Sequence, residues 1–164
     1  MERKRGYGFT KLVSTRVIID EGIQEIMDLL GPNPMDFEVE RILRLGACGT
    51  NGYRTNVDDV WRRLGSPKKI IWSGLKQQGL PTPGKLLAWG NLIPAIGTLK
   101  ITDEKSPMSS MDEISIHWGF SSGGDISSKC KCHADVYPVE ITGGVTDLAE
   151  RFVRVWREKQ QPKN

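Results

Sequence analysis

The chain has 164 residues, 38% hydrophobic and 26% charged, with 23 Lys and Arg against 20 Asp and Glu for a net charge of +3. That length fits one domain able to bury a core without cross-links, and the composition excludes a disordered chain. The mild basicity does not by itself mark a nucleic-acid binder, and three cysteines, Cys48, Cys130 and Cys132, form no disulfide framework and point to a reducing compartment.

Residues 1–8 read as a basic, Gly-containing arm with Arg3, Lys4 and Arg5. Phe9, Val13, Val17 and Ile19 share one face of an extended chain and predict a strand over 9–19. Asp20 is placed to cap a helix from Glu21, with Ile23, Ile26, Met27 and Leu30 as its apolar stripe and Gly31-Pro32 as its stop. Asn33-Pro34 opens a second helix that buries Val39, Ile42 and Leu43 and ends at Gly46. Residues 47–54 form a loop rich in Gly, Thr and Asn. The capping-box pattern Thr55-Asn56-Val57-Asp58 opens a third helix, striped by Val57, Val60, Trp61 and Leu64 and closed by Gly65 and Pro67.

The pattern then changes. Lys68 to Trp72 reads as a short strand and Gly74 to Lys85 as a Gly- and Pro-rich loop. Leu86 to Ile101 reads as a strand that Pro94 confines to an edge, a bulge or a break. A turn is expected over 106–112. Ile114, Ile116, Trp118 and Phe120 alternate with Glu113, Ser115, His117 and Gly119, as in a half-buried strand. After a loop over 121–128, Cys130, Cys132, Ala134 and Val136 alternate in the same way and suggest a hairpin partner. Gly143-Gly144 breaks the chain. A last helix from about Thr146 turns Leu148, Phe152, Val155 and Trp156 inward and Arg151, Arg154 and Arg157 outward. The expected fold is a single α+β domain over 9–159: an N-terminal strand, three short helices, a mainly antiparallel sheet and a C-terminal helix, with a flexible tail over 160–164.

Four motifs bear on chemistry. Gly119-Phe120-Ser121-Ser122-Gly123 matches G-x-S-x-G, but no helical stripe follows it, so a flexible Gly/Ser loop is the better reading and a small serine hydrolase using Ser121 an alternative. On a strand, Cys130 and Cys132 would point the same way toward a zinc ion. Zinc needs about four ligands, and Cys48 or His117 would have to complete the set, so apolar buried cysteines are preferred. Gly46, Gly49 and Gly52 follow a helix and lack the Lys-[Ser/Thr] of a phosphate loop. Asp58 and Asp59 suit the first turn of a helix. No catalytic residue, metal site or cofactor is assigned, and the expectation is a protein that is not an enzyme.

Binding features remain. Arg3, Lys4, Arg5, Lys68, Lys69, Lys76, Lys85, Arg151, Arg154 and Arg157 are candidate contacts to nucleic acid or membrane, with solvated termini and faces as the alternative. Trp72 and Trp89, beside glycines and lysines, and Tyr53 with Arg54 are candidate partner contacts.

The plan of the chain resembles the matrix proteins of rhabdoviruses, especially the short plant-infecting ones. The likeness covers a basic arm, a single α+β domain of this size, a Gly/Pro-rich middle and the lack of an enzyme motif. The P-P-x-Y budding motif of many animal members is not matched by Leu80-Pro81-Thr82-Pro83. The resemblance implies a structural protein that self-associates, binds a nucleoprotein–RNA complex and lines an anionic membrane, with no small-molecule substrate. It places the protein in the host cytoplasm or nucleus and in the virion. The N-terminus lacks the apolar core of a signal peptide, and Leu86 to Leu99 is too short to span a bilayer, so a secreted or integral membrane protein is not expected. The alternative partner is RNA alone, bound by a regulatory module such as a silencing suppressor.

Overall fold

In the first thirty residues the apolar positions recur at helical spacing: Ile19, Ile23 and Ile26 are buried, with Gly22 beside them. The computed structural model, which describes residues 2–48, 57–102 and 111–162, accordingly has helix α1 over Glu2–Leu30. The expected strand over 9–19 and the basic arm before it are both part of this helix. Val17, assigned inward by alternation, is exposed, and the Ile18 side chain lies against Gly97 instead. Asp20 sits mid-helix, and its carboxylate accepts from Arg44 at 2.7 Å rather than capping a helix start. α1 stops where Gly31 takes a left-handed φ of +80°.

Seven further α-helices follow among the described residues: α2 (Asp36–Ala47), α3 (Val57–Leu64), α4 (Lys68–Gln77), α5 (Pro83–Thr102), α6 (Met111–His117), α7 (Gly123–Ala134) and α8 (Gly144–Gln160). A 3-10 turn covers Pro138–Glu140. Among the described residues there is no strand, so the fold is all-helical and the α+β expectation is overturned. The loop expected over 47–54 falls outside the described residues from 49 onward, as does the expected turn as far as 110.

α5 replaces the expected interrupted strand, while the expected Gly/Pro loop shrinks to residues 78–82 between α4 and α5. Leu86, Trp89, Leu92, Ile93 and Ile96 are fully buried on one side, and Leu87, Ala95 and Leu99 are buried on others, so the helix is enclosed around most of its circumference. Such a helix belongs at the centre of a fold, and α1, α2, α6, α7 and α8 all pack against it. Pro94 lies inside it and leaves the Gly90 carbonyl without its usual donor. That costs about 3 kcal/mol. Burial of each large apolar side chain offsets it by roughly 1.5–3 kcal/mol, so the helix runs through.

Gly46 does not end α2. It is buried in the helix, where an added Cβ would lie 2.5 Å from the Leu87 carbonyl oxygen and 3.1 Å from Gly90 Cα. Gly46 and Gly90 thus let the backbones of α2 and α5 touch.

The two alternating segments become α6 and α7 because residues two apart on a helix point to nearly opposite sides. Ile114 is therefore buried while Ile116 is 70% exposed. Likewise Cys130 is buried and Cys132 exposed, and Ile126, Cys130 and Ala134 form the true inward stripe. Gly119-Phe120-Ser121-Ser122-Gly123 is the joint between these helices. Gly119 takes φ +78°, and Phe120 N donates to Ser115 O at 2.8 Å, closing α6. Ser122 then caps α7, its Oγ accepting from Asp125 N at 3.1 Å, while Asp125 accepts from Ser121 N at 3.2 Å. Helix α6, not a strand, leads into Ser121, so the strand-to-helix elbow of a serine hydrolase is not formed.

Candidate functional site

The expected contact residues divide sharply by environment. Trp89 is fully buried, stacked on Phe152 at 5.5 Å and edge-on to Trp156 at 6.4 Å, so it is a core residue and not a partner contact. Arg151 bonds Asp147 at 3.1 Å one turn away on α8. Arg157 donates to the Leu29 carbonyl at 2.6 Å and so holds α8 to the end of α1. Arg154 is exposed on α8. Arg3, Lys4 and Arg5 lie in the first turns of α1, and Tyr53 and Arg54 lie outside the described residues.

α4 brings four of the expected residues together. Lys68 to Trp72 was expected as a strand, and Gly74 onward as a loop, yet Ile71 and Leu75, four apart, are both buried and anchor a helix. Gly74 lets the helix sit against Met35, whose sulfur would be 2.7 Å from any Cβ there. The opposite side is open. Lys68, Trp72 and Lys76 follow at i, i+4 and i+8 and form one exposed stripe flanking the buried one. Lys69, Ile70, Ser73 and Gln77 complete the exposed surface, with Ile70 65% exposed and Trp72 39%.

The first turn of α4 concentrates positive charge. Pro67 precedes it with no side-chain cap, the first turn carries no acid, and Lys68 and Lys69 occupy it. The N-terminal end of a helix already bears about half a positive charge, so each lysine there costs roughly 0.3–1 kcal/mol. An anion placed at this end would meet the helix dipole and both ammonium groups.

Neighbouring elements carry further exposed cations. Arg62 and Arg63 are exposed in the last turn of α3, where the dipole favours them, and a short turn joins them to α4. Arg41 donates to the Arg63 carbonyl at 3.0 Å and lies over the ring of Phe37, itself 65% exposed. One sequence signal for this face is plain in retrospect. Between Val60 and Thr102 there is no Asp or Glu, against Arg62, Arg63, Lys68, Lys69, Lys76, Lys85 and Lys100. The rest of the chain is therefore net negative.

A shallow groove of about 350 Å³ at the end of α1 and start of α2 has the opposite character, lined by Asp28, Asp36 and Glu40 with Met27 and Pro32. Among the described residues no group of histidines, cysteines and carboxylates is arranged to hold a metal. Burial pushes the Cys130 thiol up to about 11, so it stays protonated. Among the same residues no helix is long and apolar enough to cross a membrane. Comparison with protein-family models, curated proteins and solved structures returns no match.

Proposed function

We propose that this chain is a non-enzymatic assembly protein that docks on an anionic membrane surface through the exposed side of α4. The observation that carries this reading is the acid-free, lysine-bearing first turn of α4 that runs into the exposed stripe of Lys68, Trp72 and Lys76. A basic face with an aromatic tip suits a lipid headgroup layer, where lysines meet anionic charge and the indole enters the interface. The matrix-protein likeness loses its α+β limb with the helical fold, and this face supports the membrane side of that reading independently.

Each lysine near an anionic membrane contributes about 1 kcal/mol. Lys68, Lys69 and Lys76 together are then worth about a hundredfold in partitioning. Sedimentation with vesicles rich in phosphatidylserine, compared with phosphatidylcholine vesicles, tests the reading. Binding only to the anionic vesicles, weakening with salt, is expected. Equal or no binding to both contradicts it. RNA retained on filters without any vesicle binding assigns the face to a nucleic acid instead, since stacked tryptophan and lysine also suit a single strand.

Self-association is supported by a separate observation. The groove beside Asp28 and Asp36, with Glu40 paired to Arg44 at its edge, is acidic and complementary in charge to α4 of a copy that is not seated on a membrane. Such a head-to-tail contact builds a ring where the rotation between copies closes and an open array where it does not. Light scattering should show mass rising with concentration at low salt; a constant monomer mass rejects it.

A further inference from the structure

α5, α7 and α8 pack against one another, and Lys85 in the first turn of α5, Lys159 in the last turn of α8 and His133 in the last turn of α7 lie near enough to act on one another's charge. Trp89 sets the register of α5 against α8 through Phe152 and Trp156. Lys85 lies one turn before Trp89, and Lys159 one turn beyond Trp156. Lys159 Nζ donates to the Cys132 carbonyl at 3.3 Å, which brings the end of α8 beside His133. Lys129, one turn earlier on α7, pairs with Asp125 at 3.2 Å. The imidazole of His133 is half-buried, and its Nδ1 is enclosed without a hydrogen-bond partner.

This arrangement is unfavourable as it stands. Lys85 occupies the positive end of the α5 dipole, in a first turn with no acid. Burial, and after it repulsion from Lys159, lowers the Lys85 pKa, with Cys132 acting weakly the other way. Burial, then Lys85, Lys159 and Lys129, pushes His133 down to about 4. An anion between Lys85 and Lys159 would relieve their mutual repulsion and favour the protonated form of the neighbouring His133 imidazole.

We propose that the α5–α7–α8 junction binds a phosphate group through Lys85, Lys159 and His133, with Lys129 at its rim. The ligand chemistry is a tetrahedral oxyanion, whether free phosphate or the phosphomonoester head of a larger molecule. Lys68, Lys69 and Lys76 take no part, so the site stands or falls separately from the α4 face.

The test follows the His133 ring protons by NMR through a pH titration of the full chain. It compares chloride with inorganic phosphate at equal ionic strength. Phosphate is expected to raise the His133 midpoint by about one pH unit, a tenfold linkage. Calorimetry should give a dissociation constant of about 1 mM or tighter. Lys85→Gln and Lys159→Gln should each weaken binding roughly tenfold, as loss of a charge-assisted hydrogen bond requires. Lys131→Gln, an exposed lysine paired with Asp135 on the same helix, should leave it unchanged. A short-chain phosphatidate that binds tenfold tighter than phosphate identifies a lipid head as the source, and equal binding identifies the free ion. The same His133 midpoint in both salts, or an equal loss in Lys131→Gln, overturns the site.

Discussion

Replacing Gly90 by alanine would place a methyl carbon on the Leu43 carbonyl oxygen and 3.1 Å from Gly46 Cα. Both are backbone atoms inside helices, so no side chain can rotate away. With carbon contacts best near 3.5 Å, α2 and α5 must part by about 1 Å. That opens the seam between Val39, Ile42 and Leu43 on one side and α5 on the other, all fully buried. Overpacking of this kind costs typically 1–3 kcal/mol, and the rigid neighbours place it at the upper end. Alanine returns about 1 kcal/mol over glycine within a helix. The net loss is about 2 kcal/mol, or a fall in Tm of roughly 4–8 °C for a chain of this size. Gly124→Ala is the control, because its Cβ would meet only Ser122 Oγ at 3.5 Å; it should leave Tm unchanged or raise it. Thermal unfolding followed by far-ultraviolet circular dichroism reads both. A Gly90→Ala protein as stable as Gly124→Ala would refute the close crossing of α2 and α5.

Three further outcomes follow from the same geometry. Lys68→Glu with Lys69→Glu should raise Tm at low salt by about 2–4 °C, because acids suit a helix start and lysines do not; a lower Tm would contradict the assignment of that turn. Ser122→Ala should cost about 1 kcal/mol as a lost cap, while Ser121→Ala should stay within about 0.5 kcal/mol of the parent in denaturant unfolding; equal losses would contradict the cap. A thiol reagent should titrate Cys48 and Cys132 in the folded protein and reach buried Cys130 only on unfolding; rapid reaction at all three would contradict the burial.

Helix ends were the readable part of this sequence. Gly31, Gly65 and the Leu148, Phe152 and Val155 stripe act through local chemistry, and they mark real boundaries and a real buried face. Two-residue alternation misled at Glu113–Phe120 and Cys130–Val136, where short helices happen to carry apolar residues two apart. The overlooked signal was the start-and-stop chemistry between them, Gly119 followed by Ser122 and Asp125. α5 was hidden by its own centrality: a helix buried around most of its circumference has no narrow stripe, and Pro94 and three internal glycines look like breaks. Gly90 and Gly97 make sense only once Leu43, Gly46 and Ile18 lie against them. In the candidate site, Lys68, Lys69, Lys76 and Trp72 were named from composition alone, but their common face required α4 to be a helix. Trp89 was misassigned because its lysine and glycine neighbours in sequence are not its neighbours in space. The junction of Lys85, His133 and Lys159 joins three helices, and no local pattern announces it.

The account rests on α4 being the docking face, and a charge-matched comparison tests it most directly. One variant carries Lys68→Glu, Lys69→Glu and Lys76→Glu. The other carries Arg16→Glu, Lys131→Glu and Arg154→Glu, three exposed cations elsewhere on the surface. Both change the net charge equally, and binding to phosphatidylserine vesicles is measured at fixed salt. The α4 variant should lose about a hundredfold or more in affinity, and the other no more than a few-fold. Equal losses in the two variants, or full binding by the α4 variant, would contradict it.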